Sequence, residues 1–245
     1  MKLLNGATLR TLQFGSMVLA TSALVACGGG SDSGSSPGAT VSGTAAVGAA
    51  MANASIVLTC KNGAGSATAN SSGAYSATFK FDGPCAITAS GGAITIHSFA
   101  AGAGTYNVTP LTELLLSYLA GQLGTTVSGL LSGISSNTAF QSALSNSTVI
   151  ANAQAAVAQL IKNQYGITLS SSSFLTVSFT PGQPGADADL DTLQTAGAIT
   201  ANGQPAASLT AAVTAAGAAA PISGGGNGGA TGGTGGTGGT GTTTK

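Results

Sequence analysis

The chain has 245 residues, of which only 5% are charged and 4% aromatic, with 39 Gly and no Trp. Side chains this small each bury little area, so any core must be thin and Ala-rich, and the positive mean hydropathy reflects Ala rather than a membrane span. Beyond residue 27 four Lys face six acids, so no basic patch exists to neutralise phosphates and nucleic-acid binding is excluded as an expectation.

Lys2 and Arg10 flank a polar start, and an apolar run follows from Leu12 to Ala26. It is shorter than the ~20 residues that cross a bilayer and fits the hydrophobic part of a secretory signal. The run ends in Leu24-Val25-Ala26-Cys27, which resembles the lipobox of bacterial lipoproteins, with Val25 where a smaller residue is usual. The resemblance implies cleavage before Cys27, lipid on its sulfur and acylation of its new amine, so the partner is a membrane reached through Cys27. Several acyl chains hold where one is marginal. Gly28, rather than Asp, after the Cys points to the outer membrane of a cell envelope. An ordinary signal peptide with an incidental Cys is the alternative.

Residues 28–39 are Gly, Ser and little else. They read as a flexible tether with an r.m.s. reach of about 20 Å.

From residue 40 to 108 the apolar period is two. Ile56, Leu58 and Cys60 alternate with Val57 and Thr59, Tyr75, Ala77, Phe79 and Phe81 with Ser76, Thr78 and Lys80, and Ile94 and Ile96 with Thr95 and His97. Turn clusters at Asn62-Gly63, Asn70 to Gly73, Asp82-Gly83-Pro84 and Gly91-Gly92 separate them. Short strands at this spacing predict an antiparallel sandwich, with Tyr75 pointing inward at a strand start. Val41-Ser42-Gly43-Thr44, then Met51 to Leu58, then Asn70-Ser71-Ser72-Gly73-Ala74-Tyr75 resemble the carboxypeptidase regulatory-like, transthyretin-like β-sandwich. Met51 stands for the usual Pro-Leu pair and Asn70 for the usual Asp. That resemblance covers about 50 residues and implies an appended structural module without catalysis.

Once lipid takes Cys27, Cys60 and Cys85 remain in an oxidising compartment, one ending a strand and one starting another. A disulfide is the expected reading. Two free buried thiols, or half of a metal site lacking its other ligands, are the alternatives.

At Thr109-Pro110 the period becomes helical. Thr109 suits an N-cap, Pro110 the first turn and Glu113 the positive helix end. Leu111, Leu114, Leu115, Tyr118 and Leu119 then form one apolar face. Val127 to Ile134, Phe140 to Leu144 and Ile150 to Ile161, the last stopped near Gly166, predict three more helices. Asp189 to Ala196 and Ser208 to Ala216 predict two weaker ones. The fold class expected is α+β: the sandwich, then an Ala-rich helical region over 109–220. The order of sandwich, Thr109-to-Leu114 helix start and Ala-rich helices resembles a type of Gram-negative lipoprotein. Residues 221–245, with Gly-Gly-Thr repeated from Gly232 to Thr240, predict a disordered tail.

Candidate chemistry is sparse. His97 is the only His, and no Asp or Glu lies within twelve residues of it, so an exposed strand histidine is expected. Gly34-Ser35-Ser36-Pro37-Gly38 matches the nucleophile-elbow pattern, but in the tether it lacks the strand and helix that would strain the Ser outward. Gly224 to Gly229 matches a dinucleotide fingerprint with no βαβ unit around it. Asp187, Asp189 and Asp191 occupy positions 1, 3 and 5 of a calcium loop, yet Thr192 stands where Gly is required and Ala198 where Glu is required. The expectation is acidic residues at a helix start rather than a metal. Sequons at Asn53, Asn70, Asn107 and Asn146 are chance matches in a Ser/Thr-rich chain. No cofactor is expected. The reading is a non-enzymatic, lipid-anchored envelope protein serving as a structural or binding module for a protein or glycan. An adhesin-like or carbohydrate-binding role is the alternative, weakened by the scarcity of aromatic residues. A hydrolase stands third.

Overall fold

In the computed structural model, residues 38–222 are described. The signal segment, Cys27, nearly all of the tether with its Ser-containing Gly motif, and the Gly/Thr tail lie outside the described residues. Seven strands precede six helices, which makes the fold α+β.

The strands are β1 (Ala39–Thr44), β2 (Ser55–Cys60), β3 (Ala64–Thr68), β4 (Ala74–Phe79), β5 (Cys85–Gly91), β6 (Ile94–Ala100) and β7 (Gly104–Thr105). They build a three-stranded sheet, β4-β1-β7, and a four-stranded sheet, β3-β2-β5-β6. Alternation decides which side chains enter the core between them. Ile56, Leu58 and Cys60 point in, while Ser55, Val57 and Thr59 point out, and Val41, Tyr75, Ile87 and Ile96 complete the inner layer. Tyr75 is buried as its position predicts, and its hydroxyl donates to the Tyr106 carbonyl at 2.6 Å. That carbonyl crosses β1 so closely that a Cβ on Gly43 would lie 1.8 Å from it, so only glycine fits there. Two sequence expectations need correction. β1 and β7 pair in parallel rather than antiparallel, because the chain leaves β6 and returns along the far side of β1. Phe81 lies past the end of β4, where it packs against Phe79 instead of extending the strand.

Cys60 and Cys85 stand directly opposite in the β2–β5 register and form a disulfide. Both are buried. The bridge closes the loop that carries β3 and β4, worth about 3–4 kcal/mol by the chain-entropy argument.

The helices are α1 (Pro110–Gln122), α2 (Val127–Gly133), α3 (Thr138–Ser145), α4 (Ser147–Tyr165), α5 (Ala186–Thr195) and α6 (Ala207–Ala218). Thr126, Asn137 and Asn146 cap α2, α3 and α4 with side-chain oxygens, and Gly166 ends α4 with φ of 72°. α1 is more deeply buried than a one-faced helix. Leu114, Leu115 and Leu116 are all inaccessible, as is Thr112, because α1 runs through the middle of the helical core. α6 packs along it at backbone contact distance. A Cβ on Gly217 would lie 2.1 Å from the Tyr118 carbonyl oxygen. The helical core reaches the sandwich through Ala86 and Phe99, which sit on the outer face of the four-stranded sheet. Strands and helices belong to one compact unit.

Candidate functional site

β6 is an edge strand, and an edge leaves backbone N–H and C=O groups unpaired. Side chains from the helical region take them up. Glu113, in the first turn of α1, accepts from the His97 backbone N–H at 2.6 Å. Thr112 donates to the His97 carbonyl at 2.8 Å and accepts from the Thr109 N–H at 3.0 Å, which fixes the start of α1. Gln204 donates to the Thr95 carbonyl at 3.0 Å. The first turn of α1 thus replaces a neighbouring strand.

The same Glu113 oxygen lies 2.8 Å from Nδ1 of His97. The chain's one Glu and its one His therefore bind each other, and theirs is the one salt bridge among the described residues. His97 is half-buried rather than an exposed strand histidine, a correction to the sequence expectation. The physical reason is tertiary: α1 docks sixteen residues downstream onto the edge that carries the imidazole. The hydrogen bond to Glu113 raises the His97 pKa above its ordinary value. Burial works against this, and the carboxylate charge adds to it.

His97 and Glu113 form one side of a cleft of about 590 Å³ between the outer face of the four-stranded sheet and α2. Thr59, Thr88 and Thr95 line the sheet side, and Ser128 and Ser132 the helix side. Among the described residues no hydroxyl bonds to the second ring nitrogen of His97. The pair supplies an oriented imidazole, and a base acting on a nucleophile would need a third member at that nitrogen.

Asp187, Asp189 and Asp191 lie in α5, but the helix starts at Ala186 and its N-cap is Gly185. Asp187 is buried and accepts from the Gly182 N–H at 2.6 Å. Asp189 accepts from the Ser170 N–H and hydroxyl at 2.8 and 2.7 Å. Asp187 and Asp189 thus stand in the first turn of the helix, as expected, but their carboxylates hold loop backbone from two directions instead of capping the helix amides. Successive odd positions on a helix point about 200° apart, so the three do not converge as they would in an extended calcium loop. Among the described residues no group of three His, Cys, Asp or Glu side chains is placed to hold a metal.

Three of the four sequon asparagines have internal roles. Asn70 closes its turn by accepting from the Ser72 and Ala74 N–H groups. Asn146 caps α4. Asn107 is fully buried: it accepts from the Thr44 N–H and donates to the Phe174 and Val177 carbonyls, tying the sandwich to the segment after α4.

No protein-family model matches the chain, and comparison with curated proteins and with solved structures finds no match.

Proposed function

We propose that the chain is a lipid-anchored cell-envelope protein, held in the outer membrane through Cys27, and that it acts as a non-catalytic structural or binding module. The observation that carries this reading is the use of the only Glu and the only His on each other and on the backbone of β6. Groups committed to joining the sheet to α1 serve architecture, and Asp187 and Asp189 in the helical part hold loop backbone. The resemblance of Leu24 to Cys27 to a lipobox supports the anchor, and the resemblance of the strand region to carboxypeptidase regulatory-like modules supports an accessory role. The test is metabolic labelling with palmitate. Label should enter the wild-type chain and be lost in Cys27→Ser, and equal incorporation by both refutes the anchor.

One observation favours a second reading, a hydrolase: Ser128 and Ser132 share the cleft with His97 and Glu113. Covalent labelling by a fluorophosphonate, abolished by Ser128→Ala or Ser132→Ala, would establish it. No labelling is expected.

A further inference from the structure

We infer that the cleft between the outer face of the four-stranded sheet and α2 is a binding site for a neutral, hydroxyl-rich ligand, with a short saccharide as its occupant. This rests on the non-catalytic reading above and names the ligand class for its binding role.

The cleft's chemistry selects by exclusion first. Its only charged groups are His97 and Glu113, which compensate each other when the imidazole is protonated. No Lys or Arg lines it, so an anion meets no uncompensated cation. An apolar ligand would find Ala86, Val127 and Leu131 in the lining but would strip water from Thr88 and Ser128 and give their hydroxyls nothing in return. The volume, about 590 Å³, is within the range of small-ligand sites, and the cleft is shallow and open to solvent.

The positive case comes from unused hydrogen-bonding capacity. Glu113 directs one oxygen to both of its His97 contacts. Its Oε2 and the Nε2 of His97 have no protein partner among the described residues, so a strong acceptor and an imidazole nitrogen border the same space. Gln204 uses its amide N–H on Thr95, which leaves its Oε1 free to accept. Thr88 and Ser128, on opposite walls, each carry a hydroxyl that can donate and accept, while Ser132 already donates to the Gly129 carbonyl and Thr95 pairs with Ser90, so these two offer less. Adjacent sugar hydroxyls also donate and accept, and a carboxylate accepting from two of them matches this set. The floor is regular, because Thr88 and His97 stand opposite each other on β5 and β6. No exposed aromatic ring offers a stacking platform: Phe99, in the neighbouring row, is fully buried under the helices. Recognition by hydrogen bonds alone, against competing water, gives affinities in the roughly millimolar range.

The test is titration of the 15N-labelled full chain in detergent micelles, followed by amide shifts. The probes are maltotriose, cellotriose and chitotriose, with N-acetyl-trialanine amide as a neutral peptide control. At least one trisaccharide should shift the amides of Thr88, Thr95, Ser128 and Ser132. Thr88→Val and Ser132→Val each remove a cleft hydroxyl without touching the Glu113–His97 contact, and each should weaken binding roughly tenfold. Glu113→Gln should do the same where its spectrum remains folded. Absence of shifts in the cleft, unchanged affinity in both valine variants, or tighter binding of N-acetyl-trialanine amide would each overturn the saccharide assignment. A chain that takes palmitate on Cys27 but shows no saccharide shifts loses the ligand and keeps the anchor. Cleavage of a bound trisaccharide would refute the non-catalytic reading while retaining the ligand class.

Discussion

Replacing Glu113 probes the join between sheet and helices directly. Glu113→Ala removes both contacts of one oxygen, to the His97 N–H and to Nδ1, and leaves a backbone N–H of an edge strand without its partner. Hydrogen bonds to a charged group contribute about 1.5–3 kcal/mol each, and the partial exposure of His97 places its share at the low end, so the loss should be about 3 kcal/mol. Glu113→Gln keeps an oxygen for the N–H and loses only the charge, at a cost of about 1 kcal/mol. For a domain of this size each kcal/mol lowers Tm by about 2–4 °C. The variants also differ in pH dependence. Folding raises the His97 pKa, chiefly through the hydrogen bond to Glu113, so the folded state favours the protonated imidazole. That stabilisation is complete below the ordinary histidine value of about 6.5 and is lost as pH rises through the higher folded value. Thermal unfolding followed by circular dichroism at pH 6 and pH 8.5 should show a stability difference in the wild type that Glu113→Gln abolishes. An equal pH difference in wild type and Glu113→Gln would refute the ion pair, and a loss under about 0.5 kcal/mol in Glu113→Ala would refute its structural role.

Two further predictions concern the sandwich and the helices. Replacing Cys60 and Cys85 together by Ala should cost about 3–4 kcal/mol in urea unfolding, and a cost near zero would mean that the bridge does not constrain the unfolded chain. Gly217→Ala gains about 1 kcal/mol of helix propensity but drives a methyl into the Tyr118 carbonyl, which no rotamer change relieves, for a net loss of about 1–2 kcal/mol. A gain in urea midpoint would show that α1 and α6 are packed more loosely.

Periodicity is local, and what depended on it was legible. The period of two located β2, β4 and β6, and spacings of three and four located the helices, with Gly166 ending α4 where a left-handed residue was needed. The Cys60–Cys85 bridge followed from strand position and compartment. β3, with the sequence Ala-Gly-Ser-Ala-Thr, and the two-residue β7 carry no apolar alternation and owe their conformation to the strands beside them. The cleft was illegible for a related reason. Glu113 reads locally as a first-turn acid, which it is, and His97 as a solvent-facing strand residue, which holds for its side of the sheet but not for its burial. Only the docking of α1 on the β6 edge brings them together, and that docking depends on the burial of Phe99, Leu114 and Leu115 in a shared core. The aspartates of α5 illustrate the reverse case: their helix position was legible, while the loop amides that they hold, at Gly182 and Ser170, were not.

The position of β1 has a mechanical consequence. It is the first element of the described chain and the central strand of its sheet, with β4 on one side and β7 on the other. A pull applied through Gly38 runs along the axis of this strand. It therefore loads the pairs from Ala39↔Phe79 to Thr44↔Ala74 together, in shear, and does not peel them one after another. The close crossing of the Tyr106 carbonyl over Gly43 adds a steric stop near the inner end of the strand. A load entering from the N-terminal side would thus meet first the strand best placed to resist being drawn out.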